Sequence, residues 1–278
     1  MSSRQNKKQP STKPSQTIKL LDGKEYDMAE VLDNMNSDEY YYGFLASRVL
    51  SSSIIKMILD SPRTYSHYLR NSDAFDDSAA LKIGRYLHVN VLEPHKVEHL
   101  FEVVPVKTRT AKAFKETVAN TNKTVLTSAE HDKVMYMVDA LLTKQPVLEL
   151  LSGAEFEVPA VGLIHDIPFR AKADILRPEA VCDIKTTSEV KTFPHAARNK
   201  WNYDIQAVLY SMLFNRDPKS FVFICVDKGS YDVGIFRMSD EAVASGIKKL
   251  KKACDIYYQF FGEYAFEELE DYIITGEV

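Results

Sequence analysis

Apolar residues follow helical spacing in the first half of the chain and strand alternation in much of the second. Ser51, Ser52 and Ser53 offer N-caps ahead of the apolar run IIKMIL, and helical spacing resumes in TYSHYL after a break at Pro62. A further helix is expected over 79–92, with Ile83, Leu87 and Val91 on one face and Pro94 closing it. Residues 110–121 read as a short helix. Thr127 and Glu130 have the spacing of a capping box at the head of a longer one. Its Val134, Met137, Val138, Leu141 and Leu142 form a wide stripe expected to be buried, and Pro146 ends or kinks it.

The period then changes. Segments 154–161 (AEFEVPAV), 168–176 (PFRAKADIL) and 180–187 (AVCDIKTT) read as strands. A helical stretch is expected over about 191–215, then strands near 219–226 and 230–237. Ser239 or Asp240 caps a last long helix that turns Ile247, Leu250, Cys254, Tyr257 and Phe261 inward. No repeat or linker divides the halves. One α/β domain is therefore expected over 21–262, with a helical N-terminal elaboration. It lies between a basic tail, 1–20, and an acidic tail, 263–278.

Composition excludes several classes. With 45% hydrophobic and 27% charged residues, the chain is an ordinary globular sequence rather than a fibrous or disordered one. Its 35 Lys and Arg against 39 Asp and Glu give a net charge of −4, which neither requires nor excludes nucleic acid. Cys182, Cys225 and Cys254 are scattered, so neither a cysteine metal site nor a disulfide framework is expected, and a reducing cytoplasm fits best. No apolar run approaches the ~18 residues of a membrane span, and the N-terminus lacks the apolar stretch of a signal peptide.

The chemically informative segment is FRAKADILRPEAVCDIKTT. Its two apolar strands flank the turn residues Arg177-Pro178-Glu179. Pairing them about that turn sets Leu176 opposite Val181 and Asp174 opposite Asp183. Asp183 and Lys185 then share one face, and Cys182 and Ile184 the other. Two facing carboxylates repel, so the pattern calls for a cation. Lys185 is one, and a divalent metal held by hard oxygen ligands is a better one. Two further pairs have one-turn spacing. Gly84 precedes His88, a small residue expected to let another element approach the imidazole. Gln206 precedes Tyr210 on the later helix.

In order and spacing, GRYLHVNVLEP, KADIL, CDIKTT and YDIQAVLY, preceded by SSSIIKMILDSPRTYSHYL, resemble the PD-(D/E)XK nuclease superfamily, most closely its RecB/RecE-like phage exonucleases of the exonuclease VIII type. The resemblance spans about residues 50–260. It implies a restriction-endonuclease-like core, a central mixed sheet flanked by helices. It further implies one or two Mg²⁺ or Mn²⁺ ions held by His88, Asp174, Asp183 and the carbonyl of Ile184. Lys185 would orient or deprotonate the attacking water, with Gln206 and Tyr210 bordering the site. The expected activity is exonucleolytic hydrolysis at duplex DNA ends in phage-type recombination. The alternatives are an endonuclease or resolvase of the same fold, and a non-catalytic DNA-binding or virion protein. Expected partners are duplex ends and the single-stranded product, a single-strand-annealing recombinase and further copies of the chain in a ring, with no membrane. A phage-encoded chain would work in the bacterial host cytoplasm. Glu155 is a candidate outer acid, and Lys107, Arg109, Lys112, Lys115, Arg170, Lys191 and Lys200 are candidate phosphate contacts.

Overall fold

The computed structural model describes residues 16–70 and 78–274, so most of the basic tail and the last residues of the acidic tail lie outside the described residues. The chain opens with a small antiparallel pair, β1 (Thr17–Lys19) and β2 (Glu25–Asp27), followed by α1 (Met28–Asn34). A π-helical turn, Glu39–Phe44, precedes α2 (Ser52–Asp60) and α3 (Pro62–Arg70). Of the three candidate serines, Ser51 caps α2, its Oγ accepting from the Ile54 amide at 3.4 Å.

Next come α4 (Ala79–Leu92), the single turn α5 (Val97–Leu100), β3 (Phe101–Val104), α6 (Lys112–Asn120), β4 (Thr124–Thr127), α7 (Ser128–Leu142) and α8 (Gln145–Leu151). The expected capping box heads α7, with Thr127 and Glu130 each satisfying the other's backbone amide. The second half holds β5 (Glu155–Ile164), β6 (Ile167–Leu176), β7 (Val181–Thr187), α9 (Phe193–Asn199), α10 (Tyr203–Leu213), β8 (Val222–Asp227), β9 (Val233–Arg237) and α11 (Asp240–Phe260).

Strands β5 to β9 lie side by side in chain order in one mixed sheet, antiparallel except for the parallel pair β7–β8. That parallel step needs a crossover, which α9 and α10 supply. One face of the sheet (Ile175, Cys182, Ile184, Val222, Ile224 and Val226) packs on α4, α7 and α8. The other carries Phe169, Ala173, Val181 and Phe223 against α2, α3, α9, α10 and α11. The result is a three-layer α/β fold with helices on both faces, as expected from the sequence.

Three expectations are corrected. The helical stretch 191–215 is two helices, because Asn202 takes a left-handed φ of 51° and breaks the run. Leu142 is 37% exposed and Ile247 45% exposed, so neither joins the buried stripe of its helix. Both lie on the solvent side of an otherwise apolar face, where a single exposed aliphatic residue is ordinary.

Helix α10 is fixed against α11 at two adjacent points. Asp204, buried at the start of α10, pairs with Lys249 at 2.9 Å and accepts from Ser245 Oγ at 2.7 Å. Between them Gly246 lets the helices touch, since a Cβ there would meet the Asp204 carbonyl oxygen at 2.4 Å. Backbone cannot yield as a side-chain tip can. Gly246→Ala should therefore lower stability by about 1–3 kcal/mol, the usual range for overpacking, read as a reduced thermal midpoint. An unchanged midpoint would show that the two helices separate freely.

Candidate active site

Strands β6 and β7 pair only at Ile175–Cys182 and Leu176–Val181, the register expected about the Arg177–Glu179 turn. Beyond that they part. Asp174 Oδ2 accepts the Ile184 amide at 2.8 Å, a side chain standing where a ladder carbonyl would be. The edge of β6 that β7 leaves is taken by Leu50, which bonds to Pro168 and Arg170 at 2.9 Å each. The sheet is thus split into a wedge with Asp174 and Asp183 at its apex.

Four elements bring side chains to this apex. Helix α4 seats Leu87 and Val89 in the core and leaves His88 partly exposed, its Nδ1 3.3 Å from Asp174 Oδ2. Gly84 plays no part in that approach: a Cβ there would meet nothing within 4 Å. Strand β7 presents Asp183, 2% exposed, whose Oδ2 lies 2.6 Å from Lys185 Nζ as an ion pair. Helix α10 supplies Gln206, which donates from Nε2 to Asp183 Oδ1 at 2.6 Å, and Tyr203, whose ring centroid is 4.9 Å from Lys185 Nζ. Tyr210, one turn beyond Gln206, is half-buried and packs edge-on against Phe221 at 6.4 Å.

The fourth element, β5, adds a residue that sequence reasoning missed. Glu157 lies opposite Asp174 in the β5–β6 register, between the paired positions Phe156–Ile175 and Val158–Ala173. Its φ of 52° is strained for a residue with a side chain, and the ladder is interrupted there. Ligand atoms of His88, Glu157 and Asp174 all lie within 4.8 Å of one another. A two-residue turn at His165–Asp166 sets this register. That turn is the sequence signal for Glu157, since it places Glu157 opposite Asp174. Glu155, the acid considered instead, is exposed opposite Leu176.

Electrostatics mark the same cluster. Burial first, then the nearby Asp183 charge, raise Asp174 to about 6. Burial and Asp174 raise Glu157 to about 8. Burial alone would depress the Lys185 ammonium, but Asp183 outweighs it and holds the amine above its ordinary value. Acids crowded in this way are stabilised by a cation held between them. One imidazole and two carboxylates form a ligand set that suits a divalent metal ion. Asp183 reaches the apex already tied to Lys185 and Gln206, and Ile184 enters through its amide.

The proposed phosphate contacts separate into groups. Arg109 braces Glu130 at 2.8 Å and lies over the Phe114 ring. Lys112 pairs with Glu116, and Lys107, Lys115, Lys191 and Lys200 are exposed. Arg170 is only 4% exposed, beneath the Tyr41 ring at 4.7 Å.

The split sheet, with His88 and Asp174 on one side and the D-x-K strand on the other, defines a PD-(D/E)XK-type core. The chain belongs to the family described as a PDDEXK-like domain of unknown function (DUF3799), whose model matches residues 51–263. A crystal structure of a "putative exonuclease" from Eubacterium rectale superposes with a TM-score of 0.58 at 14% identity, covering 87% of this chain and 95% of that one. At that identity the likeness is one of fold. A second crystal structure, of SSO0001, gives a TM-score of 0.30 at 18% identity, covering 63% of this chain and 86% of the other. No curated protein matches the chain in sequence. Among the described residues, no helix is long and apolar enough to cross a membrane.

A pH dependence follows from the raised acids. Both bind protons more tightly folded than unfolded, so their contribution is full below pH ~4, the ordinary carboxylate range. It is lost as pH rises through about 6 for Asp174 and about 8 for Glu157. Without divalent metal, the thermal midpoint should fall between pH 5 and 8, and less so in Asp174→Asn or Glu157→Gln. A midpoint independent of pH in the wild type would contradict the crowding.

Proposed function

We propose that the protein is a divalent-metal-dependent deoxyribonuclease that hydrolyses phosphodiester bonds from duplex DNA ends. The observation that carries this reading is the meeting of His88, Glu157 and Asp174 within 4.8 Å, beside the Asp183–Lys185 pair. His88, Glu157, Asp174 and Asp183, with the Ile184 carbonyl implied by the family resemblance, would hold the ion. A divalent ion bound there supplies Lewis acidity at the phosphate and a more acidic water.

The chain's own groups do the rest. The Ile184 amide fixes Asp174, so its carboxylate is oriented before any ligand arrives. Gln206 and Lys185 grip the two oxygens of Asp183 and hold that carboxylate rigid in turn. Lys185, held between Asp183 and the Tyr203 ring, directs its ammonium at the attacking water and offsets charge building on the phosphate. Tyr210, one turn beyond Gln206, would border the site and pack against the scissile nucleotide. Exonucleolytic action at duplex ends, and a place in recombination, are supported by the resemblance to RecE-like enzymes.

The test is one digestion. Linear, nicked and circular duplexes are incubated with Mg²⁺. Nucleotides released from linear DNA alone support an exonuclease, and cut circles mean an endonuclease of the same fold. Binding with no cleavage means a non-catalytic DNA-binding protein. Excess EDTA should abolish release, and undiminished cleavage there would refute metal dependence. Lys185→Met should lower turnover by ~10²–10⁴-fold while leaving metal affinity intact. Asp174→Asn should weaken calorimetric Mn²⁺ binding itself. Near-normal turnover in Lys185→Met would make the D-x-K pair a structural ion pair.

A further inference from the structure

Lys56 is a half-buried ammonium with no role yet. Helix α2 plants Ile54, Ile55 and Ile58 in the core beside α10 and α11, which fixes the stem of Lys56. Its Nζ lies 4.5 Å from the Tyr203 ring centroid, and Lys185 Nζ lies 4.9 Å from the same centroid. One aromatic ring thus carries two ammonium groups. Lys185 has a carboxylate partner in Asp183. Among the described residues, Lys56 makes no ion pair and no hydrogen bond, and its ammonium rests against the ring.

Half-buried charges are normally paired, because desolvating an ammonium is costly. A second like charge nearby raises the cost. The charged groups acting on Lys56 are Lys185, Asp183 and Asp204, and both acids are already committed, Asp183 to Lys185 and Asp204 to Lys249. Burial first, then Lys185, push the Lys56 amine down to about 8. An anion that relieved Lys56 would lie close to Lys185 as well, since both ammonium groups sit against the one Tyr203 ring.

We infer that Lys56 is a second phosphate-binding cation of the active site, contacting a non-bridging oxygen of the scissile phosphate from the α2 side. This rests on the nuclease reading and adds to it a residue outside the D-x-K strand. It makes α2 part of the substrate-binding surface and gives Tyr203 the task of seating both cations. A buried charge kept for a ligand destabilises the protein until that ligand arrives.

The experiment compares Lys56→Met and Lys56→Arg with the wild type in the full chain. Two quantities are read: the thermal midpoint of the DNA-free protein, and the salt dependence of affinity for a blunt duplex with Ca²⁺ in place of Mg²⁺. Lys56→Met removes the unpaired charge but keeps an unbranched side chain. Its midpoint should equal or exceed that of the wild type, while the log–log salt slope falls by about 0.9, the loss of one phosphate contact. With Mg²⁺ its turnover should fall by ~10²-fold. Lys56→Arg should retain the wild-type slope. A lowered midpoint in Lys56→Met, or failure to fold, would make Lys56 a structural anchor and overturn the inference. A wild-type salt slope in Lys56→Met with wild-type DNA binding intact would overturn it alone. No DNA binding by the wild type would remove the nuclease reading and this inference together.

Discussion

A single substitution of acceptor organises the molecule: a carboxylate oxygen of Asp174 takes the amide hydrogen of Ile184 in place of a neighbouring strand's carbonyl. A sheet left to itself would zip β6 and β7 together along their length, since each ladder bond removes two polar groups from the list of unpaired ones. Here pairing stops after two positions. The amide at the branch is still satisfied, so the split is stable rather than frayed. The same bond turns an acid toward the opening. Leu50 takes up part of the vacated edge of β6, bonding to the Pro168 carbonyl and the Arg170 amide.

Around this branch the fold accepts several locally unfavourable features together. Glu157 keeps a left-handed backbone, Asp174 stays near a second acid, and Lys56 and Lys185 share one ring. The strained backbone at Glu157 alone costs on the order of 1–3 kcal/mol. What sustains them is the large apolar surface on both faces of the sheet and the clamp of α10 on α11 through Asp204, Lys249 and Gly246. Stable packing lies outside the wedge and strain lies inside it, the distribution expected of a site rather than of a defect.

Much of this was legible in the sequence. The α7 capping box, the α4 helix and the Leu176–Val181 register follow from local rules, because caps and two-sided alternation are short-range properties. The meeting of His88 with Asp174 came from the resemblance and from no spacing in the chain. Glu157 escaped because it faces Asp174 across the β5–β6 hairpin, whose turn residues, His165 and Asp166, are not a glycine pair. They nonetheless both take positive φ, as a type I′ turn requires. Lys56 escaped because a lysine on an amphipathic helix looks like solvated surface until the helix is docked. The small pairs β1–β2 and β3–β4, of three or four residues, carry too little alternation to read.

The β5–β6 hairpin has a consequence of its own. From the His165–Asp166 turn to the Glu155–Leu176 pair it keeps one register without a net slip. It therefore works as a measuring rod. The acid on one arm and the acid on the other are matched by equal residue counts from the bend. One residue added to a single arm would displace the two acids by about 3.4 Å along the strand and rotate one of them to the opposite face. Length changes in this hairpin are compatible with an intact site only when both arms change together. Two residues added at the bend leave the match untouched, so the tip can vary while the count to the acids cannot.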